Sequence, residues 1–374
     1  MYDYVIVGAG LFGSVFARQM TDAGARCMII EKREHIGGNC FTENIGGIQV
    51  HKYGPHIFHT NNQKVWEFVN QFAEFSRFSY RPKVNYRGKM LSFPINLTTL
   101  YQLWGVTTPE SARQRLEAER VPINHPQNLE EWILSQVGRE LYETFVYGYT
   151  KKQWGREPSE LPASIIRRLP IRMTWNDDYF NDRFCGIPTG GYTELFNALL
   201  KDIPVETSID FIADRERFER KGKKIVYTGP LDRLFDYELG ANDWRGLRFE
   251  QEVMNVPDYQ GIATINFTDP DVPYTRRVEH KHFDPVESDH TVVTHEFPAD
   301  WSIGDEMYYP VTNDAGEKLQ KQYEAMLPDQ YVIGGRLATF RYYDMHQVIA
   351  SAMSKAEKEI LYDGRHTIPM RRAA

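Results

Sequence analysis

A glycine-rich turn near the N-terminus has the residue types and spacing of a phosphate-binding loop. It has the sequence GAGLFG at residues 8–13, directly after the β-branched run Tyr4–Val7. Gly8 permits a tight turn from strand to helix, Gly10 lets the main chain approach a pyrophosphate, and Gly13 allows close packing of helix on strand. The free N–H groups and the dipole at the helix start favour phosphate charge. The spacing predicts a dinucleotide site; the alternative is a glycine turn that binds nothing.

An acidic residue follows at the distance expected for a contact with a ribose. An amphipathic stretch leads from the glycine turn to a second apolar run, Met28–Ile30, which ends in Glu31. Glu31 lies about 20 residues beyond the glycines, a spacing that lets a carboxylate reach a ribose hydroxyl. Strand, helix, second strand and acid thus occur in register, which favours the dinucleotide interpretation.

The residues after this acid favour FAD over NAD. Residues 31–33, Glu-Lys-Arg, lead into residues 36–39, Ile-Gly-Gly-Asn. This segment resembles the Arg-x-x-x-x-Gly-Gly element of flavoproteins that have two dinucleotide-binding domains. A second main-chain turn at Gly38 and Asn39 would lie beside the diphosphate of FAD. An ordinary loop after a strand is the alternative.

A dense aromatic and basic segment could bind a planar base. It has the sequence FVYGYTKKQWG at residues 145–155. The rings of Tyr149 and Trp154 are five residues apart, and stacking on an aromatic side chain contributes about 1–3 kcal/mol per base. The alternative from spacing alone is the end of a helix that packs its aromatic side chains into a core.

Two arginine pairs provide a signal for an anionic substrate. Arg167-Arg168 lies between two prolines, and Arg276-Arg277 follows the segment Pro273–Thr275. A guanidinium engages two phosphate oxygens at once. Two arginines about 108 positions apart could therefore bind a diphosphate from opposite sides. Surface arginines are common, so ordinary exposed positions are the alternative for either pair.

Two further segments contain candidate residues beside a flavin. His56 and His59 lie in a short loop, but no Cys, Asp or Glu joins them at ligand spacing, so we expect no metal. A flavin-facing loop is favoured there over plain loop packing. Asp344 opens a predicted helix that extends to Leu361. The start of that helix would stabilise negative charge at the N1–C2 edge of a reduced flavin, whereas an ordinary N-cap explains Asp344 without any cofactor.

The protein side chains supply no obvious nucleophile. The sequence contains no Gly-x-Ser-x-Gly elbow, no Walker loop and no convincing pair of carboxylates. Because nucleophilic catalysis needs an activated group, we assign the chemistry to the cofactor rather than to a side chain.

Composition and length indicate a globular protein of the cytoplasm. The chain has 374 residues, a mean hydropathy of -0.53 and no apolar run near the ~20 residues of a membrane helix. The N-terminus enters a predicted core strand at once, which leaves no room for a signal peptide. Three scattered cysteines argue against a disulfide framework or a zinc site. A net charge of -7 argues against general affinity for nucleic acid.

The order of elements predicts an α/β fold. A Rossmann-like FAD-binding domain is interrupted by a helical insert and by an antiparallel β-sheet domain that binds substrate. The predicted boundaries are 1–78, 190–240 and 315–374 for the discontinuous FAD-binding domain, 98–160 for the helical domain, and 79–97, 161–189 and 241–314 for the sheet domain.

Taken together, these segments resemble the bacterial UDP-galactopyranose mutase family. The matching segments follow one another over nearly the whole chain, at residues 8–13, 31–39, 54–60, 149–155, 187–193, 273–283 and 334–346. The YTKKQWG segment and the segment VPYTR…EHKHF are specific to this group. Flavoproteins in general share only the N-terminal fingerprint.

The resemblance implies an isomerase that interconverts UDP-galactopyranose and UDP-galactofuranose without net redox change. In this family, reduced FAD attacks the anomeric carbon through N5 and expels UDP, and the sugar ring recloses through a different hydroxyl before UDP returns. The resemblance further implies a homodimer that supplies galactofuranose for cell-surface glycans.

The resemblance also implies roles for individual residues. Arg168, on a mobile loop near residues 160–172, and Arg276 opposite it would contact the diphosphate as catalytic residues, together with His59 beside the flavin. Val146 stands where the family often has a second aromatic residue, which weakens that contact. The substrate-binding residues would be Phe145, Tyr149, Trp154, Arg168, Tyr179, Asn266, Arg276, Tyr309, Tyr342 and Asp344. The cofactor-binding residues would be Gly8, Gly10, Leu11, Phe12, Gly13, Glu31, Lys32, Gly38, Asn39, His56, Ile57, Arg336, Asp344 and Met345.

Other functions share the N-terminal fingerprint. A redox flavoenzyme of the amine-oxidase-like fold needs neither the two arginines nor the base-stacking aromatic residues. A non-catalytic carrier of prenylated partners does not need an intact cofactor site. The arginines and Trp154 therefore favour the mutase, and the intact glycine turn favours a bound cofactor. A mutase for UDP-N-acetylgalactosamine stays open, since the sequence does not separate the two sugars.

Overall fold

The chain forms two units, and each is built from segments that are distant in sequence. The structure, a computed structural model, describes residues 1–166 and 170–365. The first unit contains residues 1–78, 182–245 and 301–365. The second unit contains the other described residues, 79–166, 170–181 and 246–300.

In the described residues most strands have six residues or fewer, and the longest helix has 18. The strands are β1 Tyr2–Val7, β2 Cys27–Ile30, β3 Thr42–Ile45, β4 Ile48–His51, β5 Phe58–Thr60, β6 Phe75–Arg77, β7 Lys83–Tyr86, β8 Lys89–Ser92, β9 Phe184–Pro188, β10 Val205–Glu206, β11 Gly222–Tyr227, β12 Trp244–Met254, β13 Thr264–Phe267, β14 Arg276–Glu279, β15 Thr291–Asp300, β16 Tyr309–Pro310 and β17 Tyr331–Ile333. The helices are α1 Leu11–Asp22, α2 Gln63–Val69, α3 Leu97–Trp104, α4 Pro109–Glu119, α5 Leu129–Leu141, α6 Gly148–Trp154, α7 Tyr192–Leu199, α8 Arg215–Glu219, α9 Leu231–Leu234, α10 Asp314–Ala325, α11 Gly335–Ala338 and α12 Met345–Tyr362. Short 3-10 turns occur at Gly38–Cys40, Pro158–Glu160, Ala163–Ile165 and His280–His282, and a π-helical turn occurs at Tyr142–Tyr147.

A five-stranded parallel sheet forms the centre of the first unit. Its strand order is β10-β2-β1-β11-β17. At the carboxyl end of β1, Val7 pairs with Ile30 on one side and with Tyr227 on the other. Parallel strands need crossover connections, and α1 supplies the first of these between β1 and β2.

Helices cover both faces of this parallel sheet. Tyr4 and Ile6 of β1 pack into one apolar cluster with residues of α1, α7 and α12. Val5, which points the other way, packs into a second cluster with α8, α9 and α10. Because both faces are buried, the central strands contain continuous apolar runs rather than alternating patterns, at residues 4–7 of β1 and 225–227 of β11. This doubly wound arrangement confirms the predicted Rossmann-like fold.

A mainly antiparallel sheet forms the centre of the second unit. Six strands follow the order β12-β15-β14-β13-β7-β8, and β13 pairs in parallel only with β7. A hairpin turn at Arg87-Gly88 joins β7 to β8, and both of its residues have positive φ, 50° and 78°. The antiparallel sheet of the prediction is therefore present.

The helical segment and this sheet share one hydrophobic core. Val84 and Leu91 of the hairpin pack in the same apolar cluster as Leu100, Ile133 and Val137 of helices α3 and α5. The sequence pattern treated the two segments as separate domains, whereas the structure groups them in one unit. The boundaries also differ, since the first unit resumes at Asp182 and at Trp301 rather than at residues 190 and 315. That the FAD-binding, helical and sheet segments are three separate domains stays a prediction.

We expect Gly8→Ala to destabilise the first unit strongly. Gly8 has a φ of 105°, and an added Cβ would lie 2.2 Å from Oγ1 of Thr228. Backbone strain and overpacking together predict a loss of about 3 kcal/mol in the free energy of unfolding, measured by urea denaturation. Gly24→Ala is the matched control, because Gly24 also has a positive φ, 80°, but open space around its Cα. Its loss should be about 1 kcal/mol, and equal losses would contradict the steric account.

Candidate functional site

Two glycine turns pack against each other in the first unit. The main-chain N–H of Gly37 donates to the carbonyl oxygen of Ala9 at 2.9 Å. A Cβ on Gly38 would lie 3.1 Å from Cα of Gly10, and a Cβ on Gly13 would lie 2.0 Å from the carbonyl oxygen of Gly8. These contacts tolerate only glycine. The turn at residues 8–13 is thus fixed on both sides, with its main chain rather than side chains at the surface of the turn.

Glu31 ties this glycine turn to the end of β2. Its Oε2 accepts from the main-chain N–H of Ala9 at 2.7 Å, and its Oε1 accepts from that of Arg33 at 2.9 Å. The side chain is buried. A carboxylate offers about four lone-pair positions, so these two hydrogen bonds are compatible with a further contact to a ribose. The predicted ribose contact stays a prediction.

The basic residues next to Glu31 bind protein carboxylates. Nη2 of Arg33 contacts Oδ1 of Asn39 at 3.0 Å and Oε2 of Glu306 at 2.6 Å, and its guanidinium lies 4.2 Å from the centre of the Tyr53 ring. Lys32 is half-exposed, with Nζ 3.6 Å from Glu306. Arg33 therefore holds the second glycine turn in place through Asn39.

Three of the predicted cofactor residues bury their side chains in the core. Leu11, Phe12 and Ile57 are at most 8% exposed. The Phe12 ring packs on the main chain of Gly334, where an added Cβ would lie 1.9 Å from the ring. Only the main chain of these residues is positioned to contact a ligand.

A group of histidines and acids lies at the start of α12. Nδ1 of His59 lies 2.8 Å from Oδ2 of Asp182. The carboxylate can only accept, so Nδ1 of His59 carries the proton of this hydrogen bond. The rings of His59 and His346 are 5.2 Å apart, and burial, followed by the charge of His59, lowers the pKa of His346. The other predicted histidine, His56, bonds through Nδ1 to the carbonyl oxygen of Gly54 at 2.8 Å.

Asp344 caps α12, as the alternative interpretation of this residue proposed. Its side chain accepts from the main-chain N–H of Gln347, and its own N–H donates to Oε1 of Gln347 at 2.8 Å. Met345 follows, with Sδ 3.6 Å from Sγ of Cys40. Burial raises the pKa of the Cys40 thiol to about 12, so this thiol is neutral and is not a nucleophile at neutral pH.

Two groups of side chains have the geometry to bind a metal ion. In the first unit, possible ligand atoms lie within 4.8 Å of one another on His59, Asp344 and His346. In the second unit, the same holds for Asp258, Glu279 and His282. Such groups are common without an ion. The absence of a metal stays a prediction.

Arg336, Tyr309 and Tyr342 come together in the first unit. The guanidinium carbon of Arg336 lies 5.7 Å from the ring centre of Tyr309 and 5.4 Å from that of Tyr342. The two rings stack with centroids 6.0 Å apart. Nη2 of Arg336 donates to the carbonyl oxygen of Tyr308 at 2.7 Å. Residues predicted for cofactor and for substrate are therefore neighbours here.

In the second unit, Arg276 lies at the centre of a polar cluster. Its Nε donates to Oδ1 of Asn266 at 3.3 Å, its Nη1 to Oε2 of Glu296 at 3.3 Å, and its Nη2 to Oη of Tyr149 at 3.2 Å. The Arg276 side chain is 20% exposed, whereas that of Glu296 is 2% exposed. The cluster therefore holds a rigid, partly accessible cation. It brings together three of the predicted substrate residues, Arg276, Asn266 and Tyr149.

The aromatic segment divides between core and surface. Phe145 is buried and stacks on Phe93 with ring centroids 6.1 Å apart, as expected for a helix that packs its aromatic side chains inward. Val146 is buried as well. Tyr149 and Trp154 stay partly exposed on α6, so these two, rather than Phe145, are suited to stack on a base.

Two other predicted substrate residues take different positions. Tyr179 packs its ring against Tyr80 and Phe93, with centroids 5.6 and 5.7 Å away, and its N–H donates to the carbonyl oxygen of Tyr80 at 2.7 Å. Arg168 lies outside the described residues, so its role stays a prediction.

Sequence reasoning missed two acids that hold the predicted site residues. Asp182 fixes His59, and Glu296 neutralises Arg276. Glu296 could have been found, because it occupies a buried position of β15 among Val293 and Thr294, where an acid needs a cation. Asp182 lies 123 residues from its histidine in a polar segment that has no such signal.

The fold and these two clusters define an α/β protein that has a Rossmann-like sheet in its first unit and a partly exposed guanidinium in its second. A family model for UDP-galactopyranose mutase matches residues 144–342, and one for an NAD(P)-binding Rossmann-like domain matches residues 6–72. The chain belongs to the UDP-galactopyranose mutase family. It is therefore an isomerase.

Individual relatives cover almost the whole chain. It is 42% identical over 366 residues to a probable UDP-galactopyranose mutase of Klebsiella pneumoniae, covering 95% of this chain and 94% of that protein. It is 40% identical over 369 residues to a dTDP-fucopyranose mutase of Escherichia coli, covering 96% and 98%. A crystal structure of reduced UDP-galactopyranose mutase superposes with a TM-score of 0.72 at 15% identity, covering 97% of this chain and 94% of that one. Within residues 1–166 and 170–365, every helix is too short or too polar to span a bilayer.

We expect Glu296→Gln to destabilise the second unit, because it leaves the Arg276 guanidinium without its carboxylate. Breaking a buried pair costs about 3 kcal/mol in the free energy of unfolding. Glu250→Gln is the control, since the Arg248–Glu250 pair has both side chains more than half exposed and should contribute less than about 1 kcal/mol. Urea denaturation of both variants measures the difference. Equal losses would show that Arg276 does not depend on Glu296.

Proposed function

We propose that this chain interconverts UDP-galactopyranose and UDP-galactofuranose, with FAD as its cofactor. The observation that carries the proposal is the Arg276 cluster in the second unit, where Asn266, Glu296 and Tyr149 hold a guanidinium. A fixed guanidinium suits a diphosphate. An amine substrate would require no such cation.

The glycine turns of the first unit fit the diphosphate of a flavin dinucleotide. A Cβ at Gly10 would meet nothing closer than Cα of Gly38 at 3.9 Å, so the main chain there is open to close approach by a phosphate. Gly10, Gly38 and Asn39 would hold the diphosphate, and Glu31 the ribose. When bound in its reduced form, FAD supplies a nucleophilic nitrogen for the anomeric carbon, which allows isomerisation without net redox change.

Arg276 would make UDP a good leaving group. Breaking the anomeric C–O bond places a full additional charge on the diphosphate, and a fixed cation stabilises that charge without reorganising at the moment of reaction. Arg168 would provide a second guanidinium on the loop near residues 160–172. Tyr149 and Trp154 would bind the uracil, since both rings are partly exposed on α6.

His59 would act beside the cofactor. Its Nδ1–H donates to Asp182, and this hydrogen bond fixes the orientation of the imidazole ring. The N-terminus of α12, which Asp344 caps, would favour negative charge near the flavin. Arg336, Tyr309 and Tyr342 would contribute polar groups for cofactor and sugar.

A dTDP-sugar is a second candidate substrate. The observation that favours it is the 40% identity to the Escherichia coli protein named dTDP-fucopyranose mutase. Thymine and uracil stack alike and differ by one methyl group, which is worth about 1 kcal/mol in an apolar site. Competition between UDP and dTDP for the purified protein separates the two, and preference for dTDP would replace the proposed nucleotide.

We further propose that the protein acts as a cytoplasmic homodimer and that its furanose product is used for cell-surface glycans. These proposals follow from the family resemblance. Sedimentation equilibrium of the purified chain tests the homodimer directly.

The proposed function is tested by product analysis. Protein reduced with dithionite is incubated with UDP-galactofuranose, and the nucleotide sugars are separated by anion-exchange chromatography. We expect UDP-galactopyranose to accumulate with the reduced protein. The oxidised protein should be nearly inactive, because it lacks the nucleophilic form of the cofactor. Equal activity in both states would contradict the proposed use of the flavin, and no conversion in either state would reject the substrate.

Arg276→Ala should abolish most turnover while FAD stays bound. Loss of a guanidinium that stabilises developing charge predicts a decrease in kcat/KM of about 10³-fold. Arg277→Ala is the matched control, because this neighbour on β14 bonds instead to Gln260 at 2.9 Å and packs over Tyr259. We expect the control to keep most of the wild-type rate. Near-normal kcat/KM in Arg276→Ala would remove this residue from the diphosphate site.

A further inference from the structure

One ammonium group in the second unit is surrounded by main-chain carbonyl oxygens. Nζ of Lys152, on α6, donates to the carbonyl oxygens of Phe267, Asp269, Val272 and Tyr274 at 2.8, 2.8, 2.9 and 3.0 Å. Phe267 is the last residue of β13, and the other three residues belong to the connection between β13 and β14. Rings of carbonyl oxygens at such distances are the usual coordination of a monovalent cation in a protein.

The same connection packs along one stripe of the preceding helical turns. Oγ1 of Thr268 donates to the carbonyl oxygen of Thr144 at 2.6 Å. A Cβ on Gly148 would lie 2.2 Å from the carbonyl oxygen of Thr268. The three contacts, at Thr144, Gly148 and Lys152, therefore recur every four residues, which is the spacing of one helix face. The ammonium is the last and the only charged member of this stripe.

The connection leads directly into Arg276. The main-chain N–H of Thr275 donates to the carbonyl oxygen of Glu296 at 2.9 Å, and Arg276 begins β14. Tyr149, one turn before Lys152 on α6, is the residue whose hydroxyl accepts from Arg276. The position of the helix on the connection therefore determines the distance between Tyr149 and Arg276.

We propose that Lys152 is a positioning residue. Its ammonium binds the carbonyl oxygens of the β13–β14 connection as a bound monovalent cation would, and thereby fixes the distance between Tyr149 and Arg276. Its role in turnover rests on the proposed function, in which that pair binds the nucleotide diphosphate. Lys152 itself does not touch the reacting atoms.

The surroundings of Lys152 are consistent with a charged ammonium at neutral pH. Burial lowers its pKa to about 8, while the charge of Asp269 opposes the shift. Four acceptors exceed the three N–H donors of the ammonium, so at least one donor is shared. A neutral methylene chain of the same length would leave all four carbonyl oxygens without this partner, and each such loss is costly when the donor is charged.

The first test compares Lys152→Met with Lys151→Met. Lys151 is the adjacent residue, and its Nζ contacts the exposed carboxylate of Glu157 at 2.5 Å, so the control removes the same charge from the surface. We expect Lys152→Met to weaken UDP binding by about tenfold or more, measured by calorimetry, with unchanged FAD content per protein. Lys151→Met should bind UDP within twofold of wild type. Wild-type UDP affinity in Lys152→Met would overturn the proposal.

The second test replaces the missing ammonium. Lys152→Ala is melted, and its UDP affinity measured, in ammonium, methylammonium, potassium and tetramethylammonium chloride at equal ionic strength. The three smaller cations should raise the melting temperature of the variant and restore part of its UDP affinity, whereas tetramethylammonium should do neither. None of the four salts should change the wild-type protein in this way. A variant that folds only with a small cation also supports the proposal. A variant that is unresponsive, or unfolded in every salt, overturns it.

These results separate the positioning role from the function. If wild type binds no UDP and converts no UDP-galactofuranose, the proposed function fails, and the cation-dependent melting of Lys152→Ala still decides whether Lys152 replaces a cation. If wild type is active and both Lys152→Met and Lys152→Ala bind UDP as tightly as wild type, the positioning role fails while the function stands.

Discussion

Arg276 carries a permanent charge into the second unit, and the arrangement around it follows from the need to balance that charge. The register of three strands places Asn266 and Glu296 directly beside it, on β13 and β15. A shift of β14 by one residue would turn Arg276 to the other face of the sheet and leave the buried Glu296 without its cation. The charge pair therefore specifies the strand register, and the register fixes the guanidinium where α6 presents Tyr149.

The first unit is constrained by close contact between main chains rather than by charge. Gly8 and Gly13 leave no space for side chains, and the turn at Gly38 packs on Gly10. The two units thus contribute different chemistry. The first presents main-chain N–H groups and a helix start that suit a dinucleotide diphosphate, and the second presents a fixed cation. In the proposed isomerisation, the first unit would hold the cofactor that supplies the nucleophile, and the second would stabilise the charge of the leaving nucleotide diphosphate.

Features that depend on neighbouring residues could be predicted from the sequence. The residues of the GAGLFG turn and of the cap at Asp344 each lie within a few residues of their partners. The contacts that hold the site could not be predicted in the same way. Asp182, Glu296 and the carbonyl oxygens around Lys152 reach their partners across 20 to 123 residues, and no periodicity encodes such pairings. The single core shared by helices and sheet escaped prediction for the same reason, because amphipathic patterns show which face is buried but not against what.

The central claim is that Arg276 binds the diphosphate of the substrate. The most direct measurement is the affinity of wild type and of Arg276→Gln for UDP and for uridine, determined by calorimetry at one ionic strength. The account predicts that wild type binds UDP much more tightly than uridine, that the substitution removes most of this difference, and that uridine affinity itself is unchanged. A preference for UDP that survives the substitution would contradict the account.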